Sequence, residues 1–255
     1  MNKEELKKII NNFYSFEDPL KSKLNIKDKK YDLVIVSPTW KPHFVFNDDY
    51  KVEDLKLGTV ASYKLNYKNK KLLFLRTGKG APSLYDNLLL LNDIESRFIF
   101  LGSAGSLNKD IKVGDIVIPN KSISGDGASI YFEEKLDGSN MFKMIEFNKK
   151  LIIKLNDIAN KIDVISKSGN VYSIDTLIGE YYHLKEIIKS NAICIEQETA
   201  AFGNSMNIME KEGVPILVIS DSLIDGVNYY EPLENKKDYL ETRTKKLQKI
   251  ITNIL

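Results

Sequence analysis

Short apolar runs alternate along the chain with longer segments in which apolar residues recur at helical spacing. Runs such as "YDLVIVS" and "PILVISD" are continuous and rich in β-branched residues, which is typical of strands covered on both faces. Segments such as "NKKLIIKLNDIANKID" have the spacing of amphipathic helices. This alternation predicts an α/β protein with a mainly parallel sheet and flanking helices.

The same pattern places the individual elements. Helices are predicted over residues 1–16 and in "SLYDNLLLLND", "NKKLIIKLNDIANKID", "TAAFGNSMNIMEKEG" and "KKDYLETRTKKLQKIITNIL". Strands are predicted over residues 31–37, twice in "TVASYKLNYKNKKLLFLRTG", and in "FIFLGS", "DIVIP", "SGNVYSID", "AICIEQ" and "PILVISD". Ligands of such sheets bind beyond the carboxyl ends of strands, so functional residues are expected in the loops that follow these runs.

Composition narrows the classes of function. The 255 residues carry a formal net charge of +2, which implies no nucleic-acid or membrane partner. One cysteine and two histidines exclude an internal disulfide and make a zinc site improbable, so we expect no metal. The N-terminus lacks the apolar region of a signal peptide, and no apolar run is long enough to span a membrane. We therefore expect one soluble, cytoplasmic domain.

Two loops that follow predicted strands are rich in glycine. "RTGKGAPS" follows the apolar run ending at Leu75, and "GSAGS" follows the run ending at Leu101. Glycine permits positive φ and close approach to the backbone, so these loops could present N–H groups to an anion. The alternative is that the glycines only form tight turns. Neither loop has the spacing of a dinucleotide-binding or P-loop motif.

Acidic residues lie at the ends of two other predicted strands. "IEQE" places Glu196 and Glu198 two residues apart, and Asp221 ends the run "PILVISD". Carboxylates at the ends of buried strands are costly unless they are paired or hydrogen-bonded. Capping of the following helix is the structural alternative, and it is weaker for Glu198 because glutamate is a poor N-cap.

Four motifs together resemble a known family. "GSAGSLNKDIKVGDIVIPN", "GNVYSIDT", "IEQETAAF" and "VISDSL" occur in this order, as in the purine nucleoside and uridine phosphorylases, a superfamily that includes the methylthioadenosine/adenosylhomocysteine nucleosidases. The resemblance begins near residue 31 and runs to the C-terminus. It implies a single-domain, three-layer α/β/α fold around a mixed, mostly parallel sheet, preceded by a helical extension over residues 1–30.

The resemblance also implies residues that bind the nucleoside. Glu198 matches the carboxylate that accepts hydrogen bonds from the 2′ and 3′ hydroxyls of ribose, and Glu196 matches a second carboxylate near the base. Tyr172 matches an aromatic residue that stacks on the base, and Ser220 is expected to contribute to substrate binding. Gln197 stands where the family usually has methionine, which makes the pocket more polar.

Asp221 matches the acid that protonates N7 of the leaving base in purine-specific members. The glutamine and arginine with which uridine-specific members read a pyrimidine have no clear counterpart after Asp175, where "GEYYH" stands. A purine nucleoside is therefore the predicted substrate.

The phosphate site departs from the family pattern. Gly102, Ser103 and Ala104 match the loop that lies against ribose and anion, with Ser103 donating to phosphate. Phosphorylases carry an arginine at the position of Phe100, and a GDPxR-like loop where this chain has "SPTWKPHF". The candidate replacements for those cations are Arg76, Lys41 and His43, with Lys79 as a further one. Arg76 and Lys41 are favoured because histidine is mostly neutral at pH 7.

Three functions remain open at this point. The first is a nucleoside phosphorylase that cleaves the N-glycosidic bond with inorganic phosphate as co-substrate, releasing base and ribose 1-phosphate without a cofactor. The second is a nucleosidase that uses water, although the water-activating glutamate of nucleosidases has no evident equivalent in "SPTWKPH". The third is a nucleoside-binding protein with little catalysis. The resemblance further implies a homo-oligomer, either a dimer or a hexamer.

Overall fold

The strands join into one mixed sheet in the computed structural model, which describes residues 1–13, 18–46, 50–67 and 69–255, with Phe13 and Leu233 described by backbone only. In these ranges the strands are β1 Leu33–Ser37, β2 Lys51–Lys56, β3 Ala61–Tyr67, β4 Lys70–Arg76, β5 Phe98–Ser106, β6 Ile116–Val117, β7 Lys121–Gly125, β8 Met144–Glu146, β9 Ser166–Lys167, β10 Asn170–Ile174, β11 Ala192–Glu196 and β12 Gly213–Ser222.

The sheet contains two groups of parallel strands that meet at an antiparallel pair, β5 and β11, and its outer strands are antiparallel. Its main path runs β2-β3-β4-β1-β5-β11-β10-β7-β8, and β12 pairs with β5 and β6. Strands β4, β1, β5 and β12 run parallel, whereas β11 is antiparallel to β5. The long strand β5 therefore has neighbours along its whole length, and its second half is shared between β11 and β12.

Helices cover both faces of this sheet. In the described ranges they are α1 Lys3–Phe13, α2 Pro19–Leu24, α3 Pro42–Val45, α4 Ala81–Leu88, α5 Lys149–Lys161, α6 Leu177–Tyr182, α7 Leu184–Lys189, α8 Thr199–Met209, α9 Lys237–Glu241 and α10 Leu247–Ile254. A π-helical segment, Thr242–Lys246, joins α9 to α10. Helices α1 and α4 pack on α8, and α5 packs on α10.

Local sequence signals explain several boundaries. Asn148 caps α5 by accepting the backbone N–H of Leu151. Asp18 caps α2, Pro19 takes the first helical position, and Asn25 ends the helix in the left-handed conformation. These polar residues satisfy backbone groups that a helix end otherwise leaves unpaired.

The core confirms the expectation drawn from the continuous apolar runs. Every residue of β1 and of β12 is buried, as strands covered on both faces require. One apolar cluster extends from Leu6 of α1 to Ile254 of α10. Leu6 belongs to the predicted extension, so part of that extension packs into the same core as the sheet.

The α/β prediction is confirmed, and the differences lie where the hydrophobic signal is weak. Strand β2 has no buried residue and was not predicted, because its sequence "KVEDLK" shows no buried face. The helix predicted over residues 1–16 ends at Phe13, and residues 14–16 lie outside the described ranges. The closing helix is interrupted by the π-helical segment. In the described residues, no helix is both long and apolar enough to cross a membrane.

Candidate active site

An open cavity lies where β5, β11 and β12 end. Its wall contains most of the residues predicted to bind the nucleoside. These are Gly102, Ser103, Ala104, Glu196, Gln197, Glu198, Ser220 and Asp221.

A β-bulge directs Asp221 into the cavity. Strands β12 and β5 pair in parallel through Ile219 and Ala104, then shift register so that Asp221 lies opposite Gly105. A Cβ on Gly105 would lie 2.8 Å from Asp221 Oδ2, so a side chain at this position would displace the carboxyl group. The glycine thus makes room for the carboxyl group of the neighbouring strand.

The surroundings of Asp221 favour its protonated form. The residue is buried, and burial raises the pKa of its carboxyl group. The Ser220 hydroxyl donates to Oδ1 at 2.6 Å and the Lys236 ammonium lies nearby, and both oppose that rise. A carboxyl group with a raised pKa that lines a cavity is suited to proton donation.

Glu196 is fully occupied by hydrogen bonds from its own loop and from β10. Its Oε2 accepts the backbone N–H groups of Glu198 and Thr199, each at 2.7 Å. Its Oε1 accepts the hydroxyls of Thr199 at 2.6 Å and Ser173 at 2.5 Å. These bonds cap the N-terminus of α8, so helix capping, the structural alternative, describes the role of Glu196 in the fold.

Glu198 has a different environment two residues later. Its Oε1 accepts the backbone N–H of Gly80 at 2.7 Å, and its carboxyl group caps no turn of α8. Burial and the nearby charge of Glu196 raise the pKa of Glu198. The remaining acceptor sites of Glu198 are therefore available to a ligand in the cavity.

Ser103 enters the wall from the middle of β5. Its hydroxyl lies 2.8 Å from the hydroxyl of Tyr239 in α9. No motif in the sequence indicated Tyr239. The preceding Gly102 has no room for a side chain, because a Cβ would lie 2.8 Å from the ring of Phe100. Phe100 is fully buried and packs on Phe202 of α8 with ring centroids 5.5 Å apart. The residue at the family's arginine position is therefore part of the core.

The predicted phosphate-binding cations do not line this cavity. Arg76 donates a hydrogen bond to the carbonyl oxygen of Gly58. Lys41, which precedes α3, and His43 within α3 have exposed side chains. In the described part of the wall, the cation is Lys79, whose ammonium donates to the Tyr229 hydroxyl at 3.1 Å.

Tyr172 also lies away from the described wall. Its side chain is half-buried on β10, where a Cβ on Gly125 would lie 2.6 Å from its ring. Its ring centroid is 6.4 Å from that of Phe142. Gln197 does reach the wall, and its Nε2 donates to the carbonyl oxygen of Asp175 at 3.0 Å.

Several residues of the wall were missed from the sequence. Glu180 of α6 is buried in the wall, and burial together with the charge of Asp221 raises its pKa to about 7. Tyr229 and Leu177 also line the cavity. One signal in the sequence could have identified Glu180. It is an acidic residue shortly after the predicted strand that contains Tyr172, close to a loop expected to bind the ligand.

The wall combines buried carboxyl groups with backbone and hydroxyl donors. In the described residues, no group of three or more histidine, cysteine or acidic side chains is placed to hold a metal ion. The wall offers acceptors for hydroxyl groups, a protonatable carboxyl group at Asp221, and the hydroxyl of Ser103, which lies 2.8 Å from that of the buried Tyr239.

The family follows from a match over most of the chain. The sequence model described as the Phosphorylase superfamily matches residues 46–255. The chain therefore belongs to the Phosphorylase superfamily.

Relatives by sequence include phosphorylases. The DeoD-type purine nucleoside phosphorylase of Thermoanaerobacter sp. (strain X514) is 31% identical over 163 residues, which cover 63% of this chain and 68% of the relative. The DeoD-type enzyme of Caldanaerobacter subterraneus subsp. tengcongensis is 30% identical over 167 residues, with the same coverage of 63% and 68%.

Similar solved structures include nucleosidases. The 5′-methylthioadenosine/S-adenosylhomocysteine nucleosidase of Helicobacter pylori superimposes with a TM-score of 0.68 at 19% identity, covering 89% of this chain and 100% of that chain. The futalosine hydrolase of Helicobacter pylori gives a TM-score of 0.68 at 20% identity, covering 89% and 98%. At these identities the likeness establishes the fold.

Proposed function

We propose that this protein cleaves the N-glycosidic bond of a purine nucleoside with inorganic phosphate as the acceptor. The products are the free base and ribose 1-phosphate, and no organic cofactor takes part. The observation that carries the proposal is that Glu198 and Asp221 line the same cavity. The carboxyl group of Glu198 has acceptor sites for a ligand, and the carboxyl group of Asp221 can carry a proton.

Glu198 binds the sugar in this proposal. A carboxylate has two acceptor oxygens, which suit the adjacent 2′ and 3′ hydroxyls of ribose. The pKa of Glu198 is raised to about 8, and positive charge that develops on the sugar favours the ionised form, which then stabilises that charge. The bond from the Gly80 N–H to Oε1 and the packing of the loop fix the carboxylate in place before the substrate arrives.

Asp221 acts on the base. As a phosphate oxygen forms its bond to C1′, the C1′–N9 bond breaks and its electron pair passes to the base. The base takes a proton at N7 from Asp221 and leaves as a neutral molecule. The phosphorylase relatives, 30% and 31% identical, support phosphate as the acceptor.

Hydrolysis is the second candidate, and one observation favours it. In the described part of the wall, buried carboxyl groups of Glu180, Glu196, Glu198 and Asp221 accompany one cation, Lys79. To the extent that these carboxyl groups ionise, they repel a phosphate dianion, whereas they do not repel a neutral water molecule. The nucleosidase and futalosine hydrolase folds of similar structure agree with this alternative.

One experiment tests both candidates. Purine and pyrimidine nucleosides are incubated with the protein in buffers with and without phosphate, and free base and ribose 1-phosphate are measured by chromatography. Phosphate-dependent release of a purine with an equal amount of ribose 1-phosphate is expected. Release of base and free ribose without phosphate would replace phosphorolysis by hydrolysis. No release from any nucleoside, with binding retained, would leave a binding protein.

A further inference from the structure

Glu180 is a buried carboxyl group that the proposed reaction does not use. The residue is 3% exposed and lines the cavity. In the part of the chain that the structure describes, its carboxyl group makes no hydrogen bond and no ion pair. A buried polar group without a partner is costly, so a ligand that supplies the missing hydrogen bond gains affinity at this position.

Helix α6 places this carboxyl group against its own hydrophobic preference. Leu177 and Glu180 both line the wall, and residues three positions apart are neighbours on the surface of a helix. Ile178, Tyr181 and Tyr182 of the same helix are exposed. A helix that buries its acidic residue and exposes large apolar ones is unusual, and the buried polar group is the informative one. Glu180 is therefore a candidate for contact with a ligand.

The carboxyl groups of Glu180 and Asp221 are close enough for their charges to interact. Both residues line the same wall, and burial together with the charge of Asp221 raises the pKa of Glu180. Two buried carboxyl groups that repel each other hold one proton between them over a pH range in which isolated carboxyl groups hold none. With one proton, the pair presents one hydrogen-bond donor and one acceptor to the cavity.

The other titratable groups around this pair leave Glu180 without a partner. Lys236 lies near Asp221, but its ammonium donates to the carbonyl oxygen of Tyr229 at 3.0 Å. Burial and the charges of Glu180 and Asp221 raise the pKa of Tyr181, so its phenol stays neutral. Three further charged residues of the wall form their hydrogen bonds elsewhere, namely Lys79, Glu196 and Glu198. Exposed side chains carry the titratable groups of the neighbouring α7 and its cap, namely His183, Lys185, Glu186 and Lys189.

We propose that Glu180 selects a 6-aminopurine by accepting a hydrogen bond from the exocyclic amino group, next to the N7 atom that faces Asp221. This assignment rests on the proposed function, which places N7 of the base at Asp221. The edge of adenine presents an acceptor at N7 and a donor at the 6-amino group, whereas the edge of a 6-oxopurine such as guanine presents two acceptors. A carboxyl pair with one proton matches the first edge, and the second edge needs two protons.

Rates with adenosine and inosine test the assignment, because the two nucleosides share the ribose and differ at the 6-position and at N1. The ratio of their kcat/KM values for base release is measured from about pH 6 to about pH 8, so that the titration of Asp221 itself affects both substrates. The wild type should prefer adenosine about 10- to 100-fold near pH 8, as one hydrogen bond to a charged group allows. The preference should shrink towards pH 6, because a second proton on the pair can be donated to the 6-oxygen of inosine.

The variants separate Glu180 from general effects of charge. Glu180→Gln provides a donor and an acceptor at every pH, so it should bring the two kcat/KM values together and remove the pH dependence of their ratio. Glu180→Leu provides neither, and it should lower kcat/KM for adenosine; it replaces Glu180→Gln if that variant fails to fold. Glu186→Gln removes an exposed carboxyl group from the next helix, and it should keep the preference of the wild type.

Three results would overturn the assignment and leave the proposed function in place. They are equal rates for the two nucleosides in the wild type, a preference for adenosine that Glu180→Gln retains or that Glu186→Gln also loses, and a Glu180-dependent preference for inosine, which would place the carboxyl group at N1–H.

Release of base from neither nucleoside would reject the proposed function instead. Calorimetry with free adenine and free hypoxanthine then tests Glu180 separately. Tighter binding of adenine by the wild type, lost in Glu180→Gln, would keep the assignment, and equal binding of the two bases by the wild type would reject it.

Discussion

Glu196 accepts both the backbone N–H and the hydroxyl of Thr199, at 2.7 Å and 2.6 Å, and so holds the first turn of α8 in place. Glu198, two residues along the chain, bonds instead to the backbone N–H of Gly80 and faces the cavity. The two carboxyl groups therefore have different surroundings, one bonded to the start of α8 and one facing the cavity, and substitutions should distinguish the roles proposed for them.

Glu196→Ala should destabilise the protein. The change leaves two backbone N–H groups of α8 and two buried hydroxyls without their acceptor, at a cost of about 1–3 kcal/mol. The free energy of unfolding in urea measures the loss. Glu198→Ala is the matched control, because it removes one such bond, and it should cost less. Equal stability of Glu196→Ala and the wild type would contradict the capping role.

Glu198→Gln should remove most activity and keep the fold. The amide oxygen still accepts the Gly80 N–H, but a neutral amide offers one acceptor where the sugar needs a charged pair. We expect base release to fall about 10²–10³-fold, the effect of removing one preorganised electrostatic group. The unfolding temperature at pH 7 should change little, because the pKa of Glu198 is raised to about 8 and the amide replaces a carboxyl group that is mostly protonated. Near-wild-type turnover would reject the assignment of Glu198 to ribose.

Asp221→Asn should slow ordinary purine nucleosides much more than a nucleoside whose base is already methylated at N7. The first kind of substrate needs a proton on the leaving base, and general acid catalysis of this step raises the rate by about 10²–10⁴-fold. The second kind does not need that proton. Steady-state rates of base release for the two substrates give the comparison. If both are slowed to the same extent, Asp221 does not act as the acid.

Ser220→Ala should move the alkaline limb of the pH–rate profile to higher pH. The Ser220 hydroxyl stabilises the ionised form of Asp221 and lowers its pKa, so the variant raises that pKa further. Activity that needs protonated Asp221 is lost as the pH rises through the pKa, and in the variant that loss comes later. An unchanged or acid-shifted limb would show that a different group controls this part of the profile.

Glu180→Gln should become increasingly stabilising, relative to the wild type, as the pH rises from 5 to 8. The pKa of Glu180 is raised from 4.5 to about 7, so the folded state holds a proton that the unfolded state releases. Its contribution to stability is complete below about pH 4.5 and is lost as the pH rises through 7. Glutamine does not ionise, so the variant keeps its stability over this pH range. The wild type loses at most about 3 kcal/mol of unfolding free energy. Unfolding temperatures of both proteins across this range measure the difference, and a constant difference would contradict the shift.

The fold class and the location of the cavity were accessible from the sequence because they depend on local pattern. Continuous apolar runs predicted strands such as β12, in which every residue is buried. Motifs at the ends of those strands placed Ser103, Glu198 and Asp221, which the structure brings into one wall. The ends of parallel strands converge at one edge of a sheet, so the sequence alone groups residues that are far apart in the chain.

Only the tertiary structure decided which polar groups are already satisfied. Glu196 and Glu198 look alike in "IEQE", and their difference depends on the start of α8 and on the position of Gly80. Arg243 has no motif around it, and its burial beside Trp40 results from the packing of the closing helix on the loop after β1. Hydrophobic periodicity is a property of neighbouring residues, whereas hydrogen bonding and burial depend on contacts between distant parts of the chain, and those contacts exist only once the chain has folded.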